Sequence, residues 1–176
     1  LSVDPDLQGI LQKKYGSGIA SREVVFASAE DEFEAMYDRG WSDGLPLIPP
    51  TIERVKAMLA GTERRPDEII AVVPPNLVDL TVEKVAINAV MAGCKPEYLP
   101  VVITALETAC TDAFNMHGLL ATTMPVGPII FINGPIRKSI GMNSGMNLLG
   151  QGNRANSTIG RAVQLTIRNV GGGRPG

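Results

Sequence analysis

Histidine is almost missing from this sequence: one residue, His117, stands in a chain of 176. A structural zinc site takes four nitrogen or sulfur ligands. With only Cys94 and Cys110 beside that histidine, and no CxxC pair, no metal site is expected from this chain alone. Two cysteines are also too few for a disulfide framework. The N-terminal stretch LSVDPDLQGILQKKYG lacks a signal-peptide core, so the expected setting is reducing and cytoplasmic. No apolar run approaches the roughly 18 residues of a membrane span. An excess of one charge is lacking as well: 16 Lys and Arg stand against 18 Asp and Glu, a net charge of −2. That balance leaves no basic face for a phosphate backbone, so neither nucleic acid nor a membrane is an expected partner. Aromatics make up 5 % of a chain that is 44 % hydrophobic, so the core is aliphatic.

What the chain has in quantity is Gly and Pro, 19 and 13 residues, clustered as for turns and site loops. Between the clusters, apolar periodicity predicts helices over residues 4–15, 29–39, 52–60, 80–93, 97–111 and 153–170. Ser28 and Thr51 read as N-caps, and Gly40 and Gly61 as helix stops. The pair 80–93 and 97–111 reads as an antiparallel helical hairpin. Short apolar runs at 23–27, 68–73, 119–123 and 128–133 read as strands, with 68–73 buried. Residues 41–51, WSDGLPLIPPT, contain three prolines and cannot be regular helix. The expected fold is therefore one α/β domain over residues 1–176: a layered mixed sheet with flanking helices, hairpin included. The closing GGGRPG reads either as a flexible tail or as the point where a longer polypeptide is cut.

Chemistry is expected first in residues 133–161, which hold five Asn, three Arg and six Gly. Asn and Gly adopt left-handed backbone cheaply, which lets successive amides point inward as an anion nest. The segment then opens a helix, whose first turn favours anions. Arg137, Arg154 and Arg161 would hold a carboxylate or phosphate, while Asn133, Asn143, Asn153 and Asn156 would polarise an oxygen. The plainer alternative is a glycine-rich connection capped by Asn and Ser; neither GxGxxG after a strand nor a Walker loop is present. His117 follows a helix and is placed to move a proton, with Asp112 or Asp43 as partner, or else it is a loop histidine bonded to backbone. Cys94 ends a helix beside Lys95, a setting that lowers a thiol pKa, whereas Cys110 reads as a small core residue. Asp43 reads as a buried acid or, more simply, as an Asx turn bracing the proline segment. Glu83, Lys84 and Glu107 read as solvated helix faces.

Five strings, GWSDGLPLIPPT, EKVAINAVMAGCKPEYLPVV, FNMHGLLATT, INGPIRKSIGMNSG and GNRANSTIGRA, occur in this order. Together they resemble a bacterial family whose members are often encoded beside, or joined to, small UGSC-type (seleno)proteins. The resemblance runs from about residue 40 to residue 176. It implies that members continue past this point, and that a thiol- or selenol-bearing partner makes redox or thiol-dependent chemistry plausible. It also implies Asp43, Cys94, His117, Asn133, Arg137, Asn143, Asn153, Arg154 and Arg161 as site positions.

The expected function is an enzyme subunit that binds a small anionic or carbonyl-containing metabolite in the Asn/Gly/Arg-rich segment. A second protein chain or a homo-oligomer is the expected partner, and the cofactor is left open. The alternatives are a non-catalytic scaffold subunit of a heteromeric complex, and a metal-dependent lyase or hydrolase whose site is shared between subunits.

Overall fold

The computed structural model describes residues 19–22, 24 and 31–174. The helix expected over 4–15 and the Ser28 cap lie outside these residues, as does all but one residue of the strand expected over 23–27. In the described part, α1 (Glu32–Asp38) starts at Asp31, whose side chain accepts from the Phe33 amide. Thr51 caps α2 (Ile52–Leu59) by accepting from the Arg54 amide, as its hydroxyl suggests. The chain then forms a hairpin of β1 (Ile69–Val73) and β2 (Val78–Thr81), and Thr81 caps α3 (Val82–Ala92) directly from the end of β2. A 3₁₀ turn (Pro96–Tyr98) leads into α4 (Leu99–Ala109). After it come the short α5 (Met116–Ala121) and α6 (Pro135–Ser139), then α7 (Arg154–Thr166), which widens into a π turn (Ile167–Gly171).

Helix α3 is the hub. It packs against α2, α4 and α7, and nine of its residues are buried, including Val85, Ala86, Ala89 and Val90. Ala155, Ile159, Ala162 and Thr166 of α7, at helical spacing, are all buried. Small side chains on both helices, Ala86 and Ala89 on α3 and Ala162 on α7, are fully inaccessible, which lets the two axes approach closely. Leu59, Leu99, Leu106 and Leu165, all fully buried, fill the space around this contact; each contributes roughly 1.5–3 kcal/mol by leaving water.

The layered α/β expectation is wrong. The described chain is predominantly helical, and its one sheet is the two-stranded antiparallel β1–β2 pair. Val73 lies opposite Val78 and Ala71 opposite Leu80, with an irregularity between Ile69 and Ala71. Only Val73 of β1 is buried, so this strand is an open hairpin arm rather than a core strand. Pro74 and Pro75, joined by a cis peptide, do end β1 as expected, but they also form the turn into β2. Leu80 belongs to that second strand and not to the helix. The run at 119–123 is mostly helical: Asn115, in left-handed backbone, caps α5 by accepting from the Gly118 amide. A five-residue run is too short for periodicity to separate strand from helix. The run at 128–133 forms neither helix nor strand, and no strand lies beside it among the described residues. No helix among the described residues is long and apolar enough to cross a membrane.

Candidate functional site

The proline segment is fastened at both ends by its own polar groups. Ser42, buried, donates to the Leu45 carbonyl at 2.7 Å and accepts from the Gly44 amide at 2.9 Å. Asp43 accepts from the Leu45 amide at 3.3 Å, the Asx turn its sequence suggests. Its carboxylate also takes a two-pronged ion pair from α7. Arg161 Nε lies 2.9 Å from Oδ2, and the terminal nitrogen of the same guanidinium 2.9 Å from Oδ1. That terminal nitrogen reaches the Leu45 and Pro46 carbonyls too, at 3.3 and 2.9 Å. Both side chains of the pair are only 20 % exposed. The hydrogen bond from Arg161, first, and its positive charge hold the Asp43 carboxyl below its ordinary value against the opposing effect of burial. Asp43 is therefore an ionised latch at neutral pH.

About two turns earlier on α7, Arg154 serves the other end of the same seam. Its Nε donates to the Gly93 carbonyl at 2.8 Å, and a terminal nitrogen reaches the Cys94 carbonyl at 3.4 Å. Gly93, at φ 88°, is the left-handed cap of α3. The guanidinium thus covers orphan carbonyls at a helix C-terminus, where positive charge is favourable. Cys94 sits beneath, 6 % exposed, with its thiol pointing at the Thr158 carbonyl at 3.4 Å. Burial pushes this thiol up to about 11, outweighing the Thr158 hydrogen bond and the Arg154 charge. That is opposite to the lowering expected from Lys95. Burial raises the half-buried Cys110 as well. Native protein at pH 7.5 is expected to leave Cys94 unlabelled by iodoacetamide over hours, while denatured protein labels fully. Rapid native labelling of Cys94, read by peptide mass, would contradict this placement.

The Asn-rich loop is stitched to the start of α7. Asn153 caps the helix by accepting from the Asn156 amide at 3.0 Å and donates to the Gly141 carbonyl at 2.8 Å. Asn156 uses both ends of its side chain: its oxygen accepts from the Asn143 amide at 3.0 Å, and its nitrogen donates to the Asn143 and Leu148 carbonyls at 2.9 and 3.0 Å. Asn143 in turn accepts from Gly145 and donates to Met146, both at 2.9 Å. Arg137, half-buried in α6, donates to the Ser144 hydroxyl. Asn133 is exposed and stands at the end of the run 128–133, just before α6.

The candidate residues thus gather into three groups: Asp43 with Arg161, Cys94 with Arg154, and Asn143 with Asn153 and Asn156. His117 joins none of them; it is exposed on α5 with no side-chain hydrogen bond among the described residues, and neither Asp43 nor Asp112 partners it. A cavity of about 450 Å³ opens between α4 and residues 128–133, lined by Thr104, Thr108, Ile130, Ile132 and Asn133 among others. No group of three or more His, Cys, Asp and Glu side chains among the described residues is placed to hold a metal ion.

Sequence reading missed several polar residues. Glu83 is not a solvated face: it is 6 % exposed and accepts from the Ala20 and Ser21 amides at 3.0 and 2.8 Å, tying the segment before α1 to the first turn of α3. Glu107 pairs with Arg64, which also holds Glu68. Lys84 donates to the Asp79 carbonyl at 2.7 Å. Buried Asn88 accepts from Asn169 at 3.0 Å, and the same Asn169 nitrogen donates to the Trp41 carbonyl at 3.0 Å. No local pattern marks Glu83, Glu107 or Asn88, because their partners lie more than forty positions away in sequence.

Comparisons with family models, with curated proteins and with solved structures return no match to this chain.

Proposed function

We propose that this chain is one component of a composite, multi-chain enzyme. Its unpaired run 128–133 receives another polypeptide. The surface that follows, from Asn133 to Arg161, then receives a small anionic or carbonyl-bearing metabolite at the junction. One observation carries this reading. Ile130 and Ile132 pack toward the core, yet among the described residues no main-chain hydrogen bond is made from Gly127 to Asn133. Backbone polar groups in a folded chain are ordinarily paired with something, and an unpaired run whose burial alternates residue by residue, as it does here, is a template for an added strand. The run leads straight into α6 and Arg137, so a polypeptide pairing there lies next to the Asn/Gly loop.

Within this reading Arg137 holds the anion and Asn133 polarises its oxygen. His117 moves the proton. Arg154, Arg161, Asn143, Asn153 and Asn156 shape the surface through the bonds already described. Cys94 is buried, so thiol or redox chemistry in this assembly falls to the partner chain; this is where the resemblance to neighbours of UGSC-type (seleno)proteins bears on the proposal.

A thermal-shift titration of the assembled protein with inorganic phosphate and with pyruvate tests the site. Stabilisation by one of them, abolished in Arg137→Ala and Asn133→Ala, is the expected result. A shift that persists in both variants places the ligand elsewhere. The scaffold reading has its own support, since Arg154 and Arg161 spend their donors on this chain's own carbonyls and carboxylate. No response to either probe in the assembled protein would favour it.

A further inference from the structure

We propose that Asn133 and Gly134 form a self-modifying site, at which the chain converts the Asn133 side chain to a carboxylate with loss of ammonia.

Asn133–Gly134 is the chain's one Asn-Gly pair. Both residues are exposed. Among the described residues the Asn133 side chain makes no hydrogen bond, and neither does the Gly134 amide. That amide nitrogen is the nucleophile, and the Asn133 side-chain carbonyl carbon, Cγ, is its target. Attack forms the N–Cγ bond and breaks the Cγ–Nδ2 bond. Nδ2 leaves as ammonia, taking the proton that the Gly134 amide gives up. Water then opens the cyclic imide at either carbonyl. The products are an aspartyl residue and an isoaspartyl residue whose main chain runs through Cβ. One water is consumed and one ammonia released, with no change of oxidation state, so the reaction calls for no cofactor.

The structure singles out this pair. Gly134 has no β-carbon to screen the attacking nitrogen, and its φ of 90° favours glycine, so the turn into α6 keeps the nitrogen bare. A β-carbon built there meets nothing within 4 Å, so that side of the residue faces open space. Asn143 and Asn156 are the contrast. Hydrogen bonds pin both ends of each side-chain amide. The Ser157 amide, which would attack Asn156, is already bonded to the Asn153 carbonyl at 3.0 Å.

The new carboxylate falls in a stretch, Ala113 to Ile136, that carries no Asp, Glu, Lys or Arg, and it lies four positions before Arg137. If Asn133 and Arg137 hold an anionic metabolite as proposed above, the conversion switches that site off by setting like charge against the ligand. This consequence alone rests on that reading.

Peptide mass spectrometry on the full native chain, fresh and after days at mildly alkaline pH, tests the proposal. The expected result is that aspartyl and isoaspartyl products accumulate at position 133 ahead of Asn143 and Asn156. They form faster as pH rises, because the attacking amide must lose its proton. Asn133→Gln loses the signal, since its longer side chain closes a less favourable ring; circular dichroism checks that this variant stays folded. An Asn133 that remains unchanged in the native chain overturns the proposal, as does conversion of Asn143 and Asn156 that keeps pace with it. Thermal-shift titration of the assembled protein with inorganic phosphate and with pyruvate, before and after ageing, separates the switch from the chemistry. A ligand shift lost on ageing supports the switch, and an equal shift in both samples removes it. No shift in fresh protein removes the functional reading, while the products at position 133 are read by mass in either case.

Discussion

Gly61→Ala is expected to destabilise the protein by about 3 kcal/mol, read as a lowered urea midpoint with unchanged slope. Gly61 follows α2 where the chain passes under the Pro96–Tyr98 turn. A β-carbon there would lie 2.0 Å from the Pro96 carbonyl oxygen and 2.5 Å from its carbon. Both are backbone atoms, so no side-chain rotation relieves the clash, and α2 must shift from the start of α4. Gly160 is the control. It lies within α7, is exposed, and a β-carbon there meets nothing within 4 Å. Gly160→Ala is expected to stabilise by roughly 0.5–1 kcal/mol, since glycine is the poorer helix former. Equal effects at the two sites would mean that the α2–turn contact is not as close as described.

Arg161→Ala is expected to cost about 2 kcal/mol at pH 7. The figure is below that for a fully buried pair because both side chains keep 20 % of their surface in solvent. The variant leaves the Asp43 carboxylate partly desolvated without its partner, and strips the Leu45 and Pro46 carbonyls of a donor. Arg161→Lys recovers little, since an ammonium cannot make the two-pronged contact. The pH dependence fixes the origin of the effect. Asp43 has a folded-state pKa below its ordinary 3.8, so its contribution is present above that value and is lost as pH falls through the lower, folded one. The gap between wild type and Arg161→Ala is therefore constant from pH 7 to about 5 and narrows in stronger acid. A gap that is the same at pH 7 and pH 2.5 would assign the loss to packing instead of charge.

Local signals were readable and long-range ones were not. Thr51 caps the helix expected of it, because capping is decided within three residues, while Asn153, expected as the first residue of its helix, is that helix's cap. The helical stretches around 82–92, 99–109 and 154–166 were visible in their periodicity. The sheet was misjudged because the threonines ending 119–123 and the isoleucines of 128–133 carry strand propensity, whereas a sheet also requires a neighbour. The first run is drawn into a helix by the Asn115 cap, and the second has no strand beside it. In the candidate site, Asp43, Arg161, Cys94 and Arg154 could each be named from residue type. Their pairing, across 118 positions for Asp43 and Arg161 and 60 for Cys94 and Arg154, is a product of how α7 lies on α3. The same distance hid Glu83, whose carboxylate bonds a segment more than sixty positions earlier.

The central claim, that residues 128–133 accept an added strand, is tested most directly by amide hydrogen exchange at Ile129–Asn133 in the assembled protein. The account predicts that alternate amides of this run are slowed to the degree seen in β1 and β2, and that separation from the partner chain releases them. Exchange at the rate of an unstructured peptide under both conditions would contradict it.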